Sequence, residues 1–203
     1  MNHIPINLAT EDELSEVTLF KILAEIDRYA VGTAYRRGGF GYLRRTIHGW
    51  NSAARSIPFI VLTDLDALKC PAELVTSWLA SDKHPNLLFR VAVREVESWL
   101  LADPENLSEF LAVPEGHVPP DPDTLKDPKA NLVKLAQTSR SKVIRDRIVP
   151  RRGSTAKQGP DYNGCLGLFV RDCWDLNSAC ENSPSLARTV DRLASFNPVW
   201  SNE

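Results

Sequence analysis

Residues 58–63 read PFIVLT, a run that is apolar without alternation, as expected of a central parallel strand covered on both faces. Three other short runs have strand character: IPINLA at 4–9, YAVGTAY at 29–35 and LLFRVAV at 87–93. Between them the apolar spacing changes period. Leu14, Val17, Leu19, Ile22, Leu23 and Ile26 recur at helical intervals and predict a helix from 12 to about 28. Thr10, with Glu13 three residues on, resembles a capping box for it. A second helix is expected over 40–54, with Leu43, Ile47 and Trp50 on one side, and a third over 71–81, with Pro71 in its first turn. A fourth begins over 95–102. Strands and helices alternating across short links predict an α/β fold with a mainly parallel four-stranded sheet flanked by helices.

The pattern changes after Asp103. Residues 113–128 hold Pro114, Pro119, Pro120, Pro122 and Pro128 and read as a loop rather than sheet. Residues 130–136, 184–193 and a segment around 165–173 look helical, so the second half is mainly α. The expected organisation is an α/β core over 1–103 and a helical extension over 104–203 packed on it, with a proline-rich loop at 113–128 and an exposed basic connector at 140–157.

Composition narrows the class. The 203 residues carry 43% apolar and 25% charged side chains, as in a globular chain with a sizeable core, which excludes coiled-coil, collagenous, disordered and small disulfide-scaffold architectures. No apolar run approaches the roughly 20 residues that span a bilayer. The opening MNHIPINLATEDELSE lacks the basic region of a signal peptide, so the expectation is a cytoplasmic protein without a membrane partner. Cys70, Cys165, Cys173 and Cys180 form no CxxC pair and read as reduced thiols. The tryptophans are scattered as core and interface residues are, and Gly38-Gly39-Phe40-Gly41 reads as a turn.

The net charge of −2, from 24 Lys+Arg and 26 Asp+Glu, hides local asymmetry. Arg140, Lys142, Arg145, Arg147, Arg151, Arg152 and Lys157 are opposed within their stretch only by Asp146. Such a stretch can supply phosphate contacts to nucleic acid, or can be a solvated connector. Arg36, Arg37, Arg44 and Arg45 form a smaller basic cluster.

Carboxylates stand where strands end, and in parallel α/β sheets ligands sit outside the carboxyl ends of the strands. Glu11 follows the first strand, Asp64 and Asp66 close the third, and Glu95 and Glu97 follow the fourth. Asp64 and Asp66 share a face if both keep strand geometry. Clustered carboxylates repel unless a cation joins them, and oxygen donors without His or Cys favour Mg²⁺ or Mn²⁺. Glu95 and Glu97 cannot both point inward from a helix, because two residues turn it by about 200°; Glu97 is favoured, since Trp99 and Leu100 compete with Glu95 for the buried side. Glu13 and Glu16 read as solvated or capping residues. A DxD alone also suits helix capping. A haloacid-dehalogenase-type phosphotransfer pair is disfavoured, because Asp64-Leu65-Asp66-Ala67-Leu68 lacks the Gly-Thr that should follow.

This order of acids resembles the Toprim domain of topoisomerases, primases and OLD-type nucleases. The strings TEDELSEVTLFKIL, IVLTDLDALKCP, VAVREVESWLLAD, GPDYN and SPSLARTVDRLASF are similar, over most of the chain, to a bacterial Toprim-like family called domain of unknown function 4276. One departure is Asp12, which stands where Gly usually follows the first Toprim glutamate. The resemblance implies a Mg²⁺- or Mn²⁺-dependent, nuclease-like centre that cleaves phosphodiesters, associated with AAA- or SMC-like ATPase partners and with phage or mobile-element defence. Carried over, Glu11 is general base or metal ligand, Asp64 and Asp66 hold the metal, and Glu97 completes the cluster directly or through water. Lys157 is the candidate transition-state cation. Nucleic acid, DNA first, is the expected substrate, and a homodimer is compatible with the reading. The alternative is a non-catalytic interaction module that regulates a partner ATPase or binds nucleic acid, motivated by Asp12 and the modest number of carboxylates.

Overall fold

The apolar runs pair as Ile4–Thr10 (β1), Tyr29–Tyr35 (β2), Phe59–Asp64 (β3) and Leu87–Ala92 (β4), in a computed structural model that describes residues 3–36, 38–79 and 82–200. All three pairings are parallel and the order is β2-β1-β3-β4. β3 lies inside the sheet and is buried along its whole length, which is why its sequence does not alternate. Glu13–Ile26 (α1) links β1 to β2, Gly39–Ala53 (α2) links β2 to β3, and Pro71–Trp78 (α3) links β3 to β4. The third helix stops at Trp78 because Leu79 is extended; Ser81, where it was expected to end, and Arg37 lie outside the described residues.

The cap of α1 differs from expectation. Thr10 is still strand, and the capping side chain is Asp12, whose Oδ1 accepts from the Ser15 N–H at 2.8 Å. Asp12 is extended (φ −144°, ψ −178°), so the backbone there has no need of glycine.

The sheet divides two apolar clusters. On one face Ala9, Phe59, Val61, Phe89 and Val91 meet Leu43, Ile47 and Trp50 of α2 and Leu74 and Trp78 of α3. On the other, Ile6, Leu8, Ile60, Leu62, Leu88 and Ala92 meet α1 and the whole second half of the chain. That half comprises Val96–Leu101 (α4), Pro104–Leu111 (α5), Pro128–Gln137 (α6), Lys142–Ile148 (α7), Tyr162–Asp172 (α8), Leu176–Asn182 (α9) and Pro184–Ala194 (α10). Trp99, Leu107, Leu132, Ile148, Phe169 and Leu186 lie in the same cluster as the sheet residues, so the extension shares the core of the first hundred residues. Helix α4 is buried on every side, as an interior helix must be.

The proline-rich stretch forms no strand; it makes two 3-10 turns, Glu115–His117 and Pro122–Thr124, and Val113, Val118, Pro122 and Pro128 are buried. Asp123 in this stretch accepts from the Ser183 hydroxyl and the Ser185 N–H, each at 2.8 Å, while the Trp99 indole N–H donates to Ser185 Oγ at 2.7 Å. The SPS and ESW strings thus join loop, α10 and α4. Trp50, Trp78, Trp99 and Trp174 are core residues, whereas Trp200 is half exposed, and the four cysteines are free thiols. Among the described residues no helix is long and apolar enough to cross a membrane.

The basic connector is corrected in part. It contains α7, whose Ile144 and Ile148 are buried. Its end is held by Gly159, whose N–H donates to Ile148 O at 2.7 Å. A Cβ on Gly159 would lie 2.2 Å from Arg147 O and 2.6 Å from Ile148 C, both backbone atoms. Gly159→Ala is therefore expected to lose about 1–3 kcal/mol in urea unfolding, the usual range for overpacking. No loss would mean that the two backbones separate freely.

Candidate functional site

β1 and β3 are neighbours, yet the connections beyond them diverge: α1 covers one face of the sheet, α2 and α3 the other. Their carboxyl ends therefore flank the crevice where α/β sheets bind ligands. Glu11 sits there, one residue past β1. Its Oε1 accepts from the Asp64 N–H at 2.9 Å and from the Thr63 hydroxyl, tying the end of β1 to the end of β3. Asp64, the last residue of β3, is 9% exposed, and its Oδ1 accepts from the Val96 N–H at 3.0 Å, at the start of α4. Glu97, in the first turn of α4, is 2% exposed. Its Oε1 accepts from the Tyr162 hydroxyl at 3.1 Å and lies 3.3 Å from Lys129 Nζ. The Lys129 N–H donates to Glu95 Oε2 at 2.9 Å, so the start of α6 is joined to both glutamates. The Lys129 ammonium also faces the Tyr162 ring, 6.0 Å from its centroid.

Burial dominates the electrostatics. It raises the Glu11 pKa, and Asp66 and Asp12 add to the rise while the Thr63 and Asp64 hydrogen bonds oppose it. Burial also holds Asp64 well above the ordinary carboxylate range, reinforced by Glu97, Glu11 and Asp12. Glu97 is pushed up to about 7 by burial, against the pull of Lys129. For Lys129 burial acts downward, but Glu97, Asp12, Glu95 and Asp64 together outweigh it and keep the ammonium charged.

The structure thus brings Glu11, Asp64 and Glu97 into one electrostatic cluster and leaves Glu95 at its rim, half-buried. Strand alternation does not set Asp66 beside Asp64, although its charge still reaches Glu11 and Glu95. The Asp66 φ of 50° is left-handed and the residue is exposed, so strand alternation ends before it. The turn is held by Arg94, whose O accepts from the Leu65 and Asp66 N–H groups and whose guanidinium donates to Asp66 O at 3.1 Å and Leu68 O at 2.6 Å. Lys157 is exposed and forms no ion pair among the described residues; the ammonium paired with the cluster is Lys129. Lys129 and Tyr162 were not singled out from the sequence. Tyr162 lies in the GPDYN string, but nothing local marks Lys129 beyond a helix start at Asp127-Pro128.

The basic stretch is partly neutralised at home. Arg147 pairs with Asp161 at 2.6 Å, Lys142 pairs with Asp146, and Arg145 donates to Ser139 O. Arg140, Arg151 and Arg152 are exposed, and a groove of about 490 Å³ runs beside Arg145, Val149, Arg151 and Arg152. In the second basic cluster Arg36 lies 3.4 Å from Glu16 and 3.8 Å from Glu13.

The oxygen donors of Glu11, Asp64 and Glu97 suit Mg²⁺ or Mn²⁺ in kind. Among the described residues, however, no three His, Cys, Asp or Glu side chains are placed to hold one ion in common. The class defined by fold and site is an α/β protein with a buried acidic cluster, neutralised from within by a lysine, at its topological switch point. Compared with protein-family models, curated proteins and solved structures, the chain matches none.

Proposed function

We propose that this chain is a divalent-metal-dependent phosphodiesterase of Toprim-like type acting on nucleic acid, DNA first. The observation that carries the reading is the meeting of Glu11, Asp64 and Glu97, from three distant segments, at the carboxyl ends of β1 and β3. Glu11, Asp64 and Glu97 would have to swing together to hold Mg²⁺ or Mn²⁺, since they are not placed around one ion as they stand; such an ion would supply an acidified water and charge stabilisation at a phosphodiester. The chain's own part is legible. Lys129 offers a fixed positive charge beside the acids, and Tyr162 orients Glu97 by donating to Oε1. Burial raises Glu97 towards neutrality in the metal-free chain, and a bound divalent ion would hold it ionised as a ligand. Arg140, Arg151 and Arg152 are available for phosphate contacts that would weaken with salt. The ATPase partner and the defence role are supported by the resemblance alone.

Asp64→Asn is expected to abolish Mn²⁺-dependent cleavage of DNA by about 100-fold or more with the circular dichroism spectrum unchanged. Cleavage that survives the substitution would overturn the reading. A non-catalytic module is favoured by one observation, that Lys129 already supplies the cluster's counter-charge. Calorimetry showing no Mn²⁺ binding to the intact fold would select it.

A further inference from the structure

β4 is an edge strand. The carbonyls of Asn86 and Ala92 accept from the Phe59 and Leu65 N–H groups at 3.0 and 2.9 Å, so the even-numbered residues turn their backbone towards β3. Alternation along the strand turns the N–H and C=O of Phe89 and Val91 outward. Among the described residues these groups make no backbone hydrogen bond outside the sheet. Phe89 and Val91, 6% and 8% exposed, line a groove of about 330 Å³ whose walls differ. On one side stand Ala72 and Val75 of α3, beside the apolar side chains of Phe89 and Val91. On the other stand Arg90 of β4 and Arg188 of α10.

Those arginines belong to a group of cations without anions. Arg90, Arg188, Arg192 and Lys83 form no ion pair with a carboxylate among the described residues. Burial lowers the Arg90 pKa, and Arg192 and Arg188 lower it further; Lys83 is lowered by burial and then by Arg192 and Arg90. Arg90 is nevertheless held in place, with Nε 3.4 Å from Thr189 Oγ1 and its guanidinium donating to Arg188 O at 3.2 Å.

We propose that this edge receives an extended peptide with alternating apolar and acidic residues, added to the sheet as a fifth strand. The free backbone groups of Phe89 and Val91 supply the ladder. Period-two geometry sends successive side chains of the added strand to opposite walls, apolar ones against α3 and acidic ones against Arg90 and Arg188. A nucleic-acid backbone would use the cations but neither the outward amides nor the apolar wall. The site is separate from the acidic cluster, and this inference does not rest on the nuclease reading.

The probe is a fluorescein-labelled peptide of about eight residues alternating valine and aspartate, long enough to cover the strand at ~3.3 Å per residue. Titrated with the full chain, it is expected to bind saturably, with affinity lowered about tenfold or more by Arg188→Glu, an exposed position, and unchanged by Lys134→Glu on α6. In the complex, hydrogen exchange at the Phe89 and Val91 amides is expected to slow. Absent binding, binding indifferent to Arg188→Glu, or binding without amide protection would overturn the proposal. So would a single-stranded oligonucleotide that displaces the peptide and is itself weakened by Arg188→Glu, which would make the edge a phosphate site.

Discussion

Replacing Lys129 with methionine is expected to lower the stability of the fold by about 3 kcal/mol at pH 8, a cost typical of leaving one partner of a buried ion pair alone. Glu97, 2% exposed, would then face Asp64, Asp12 and Glu95 with no cation beside it. Methionine keeps most of the aliphatic stem, so the loss reports charge rather than volume. At pH 5 the penalty is expected to be smaller by about 1 kcal/mol, because Glu97, with a pKa of about 7, is already protonated there and at pH 8 lies only about one pKa unit into its ionised range. Urea unfolding at the two pH values, in chelator, checks this. Equal losses at both would show that Lys129 stabilises through packing alone. If the cluster also accepts a divalent ion, Mn²⁺ is expected to raise the melting temperature of Lys129→Met more than that of the parent chain, since the ion then replaces the missing charge.

Glu97→Gln is expected to act in the opposite direction. The folded-state pKa of Glu97, about 7, lies above its ordinary value of 4.5. The folded chain therefore holds a proton that the unfolded chain releases between those values. Glu97's favourable contribution is complete below about pH 4.5 and is lost as pH rises through about 7. At about 1.4 kcal/mol per pKa unit the loss amounts to a few kcal/mol. Glutamine cannot ionise and can still accept from Tyr162. The stability difference between Glu97→Gln and the parent, measured in chelator, is expected to grow by a few kcal/mol from pH 5 to pH 8 in favour of the variant. Taking this difference cancels most of the titration of Glu11 and Asp64, whose raised pKa values give the parent the same slope. A difference independent of pH would place Glu97 in a far wetter setting than its burial implies.

Both effects concern residues of unequal legibility. Glu11, Asp64 and Glu97 were visible because strand ends are visible: PFIVLT stops at an acid, and a parallel sheet gathers its strand ends on one edge. Glu97 was preferred over Glu95 by helix geometry, but Glu95 is the extended N-cap outside α4 and α4 is buried on every side, so it is the packing around α4 that puts Glu97 inside and Glu95 at the rim. Asp66 failed the same logic, because the alternation rule holds only while the chain stays extended, and Arg94 holds the turn at Leu65-Asp66. Lys157 was chosen from a basic stretch near GPDYN, but proximity in sequence to Tyr162 did not carry it to the carboxylates. Lys129 reached them from a helix start more than thirty residues after Glu95. The short helices α5, α7 and α9, with 8, 7 and 7 residues, offered too few turns for a period to show.

Local pattern was enough to determine the four parallel strands, their intervening helices and the acids that close β1 and β3. Burial period and strand-end chemistry are properties of neighbouring residues. The partner of those acids was decided only in three dimensions. A lone ammonium on α6 and a phenol on α8 meet Glu97 because the second half of the chain packs onto the same face of the sheet, driven by apolar side chains that show no sign of which charges they will bring together.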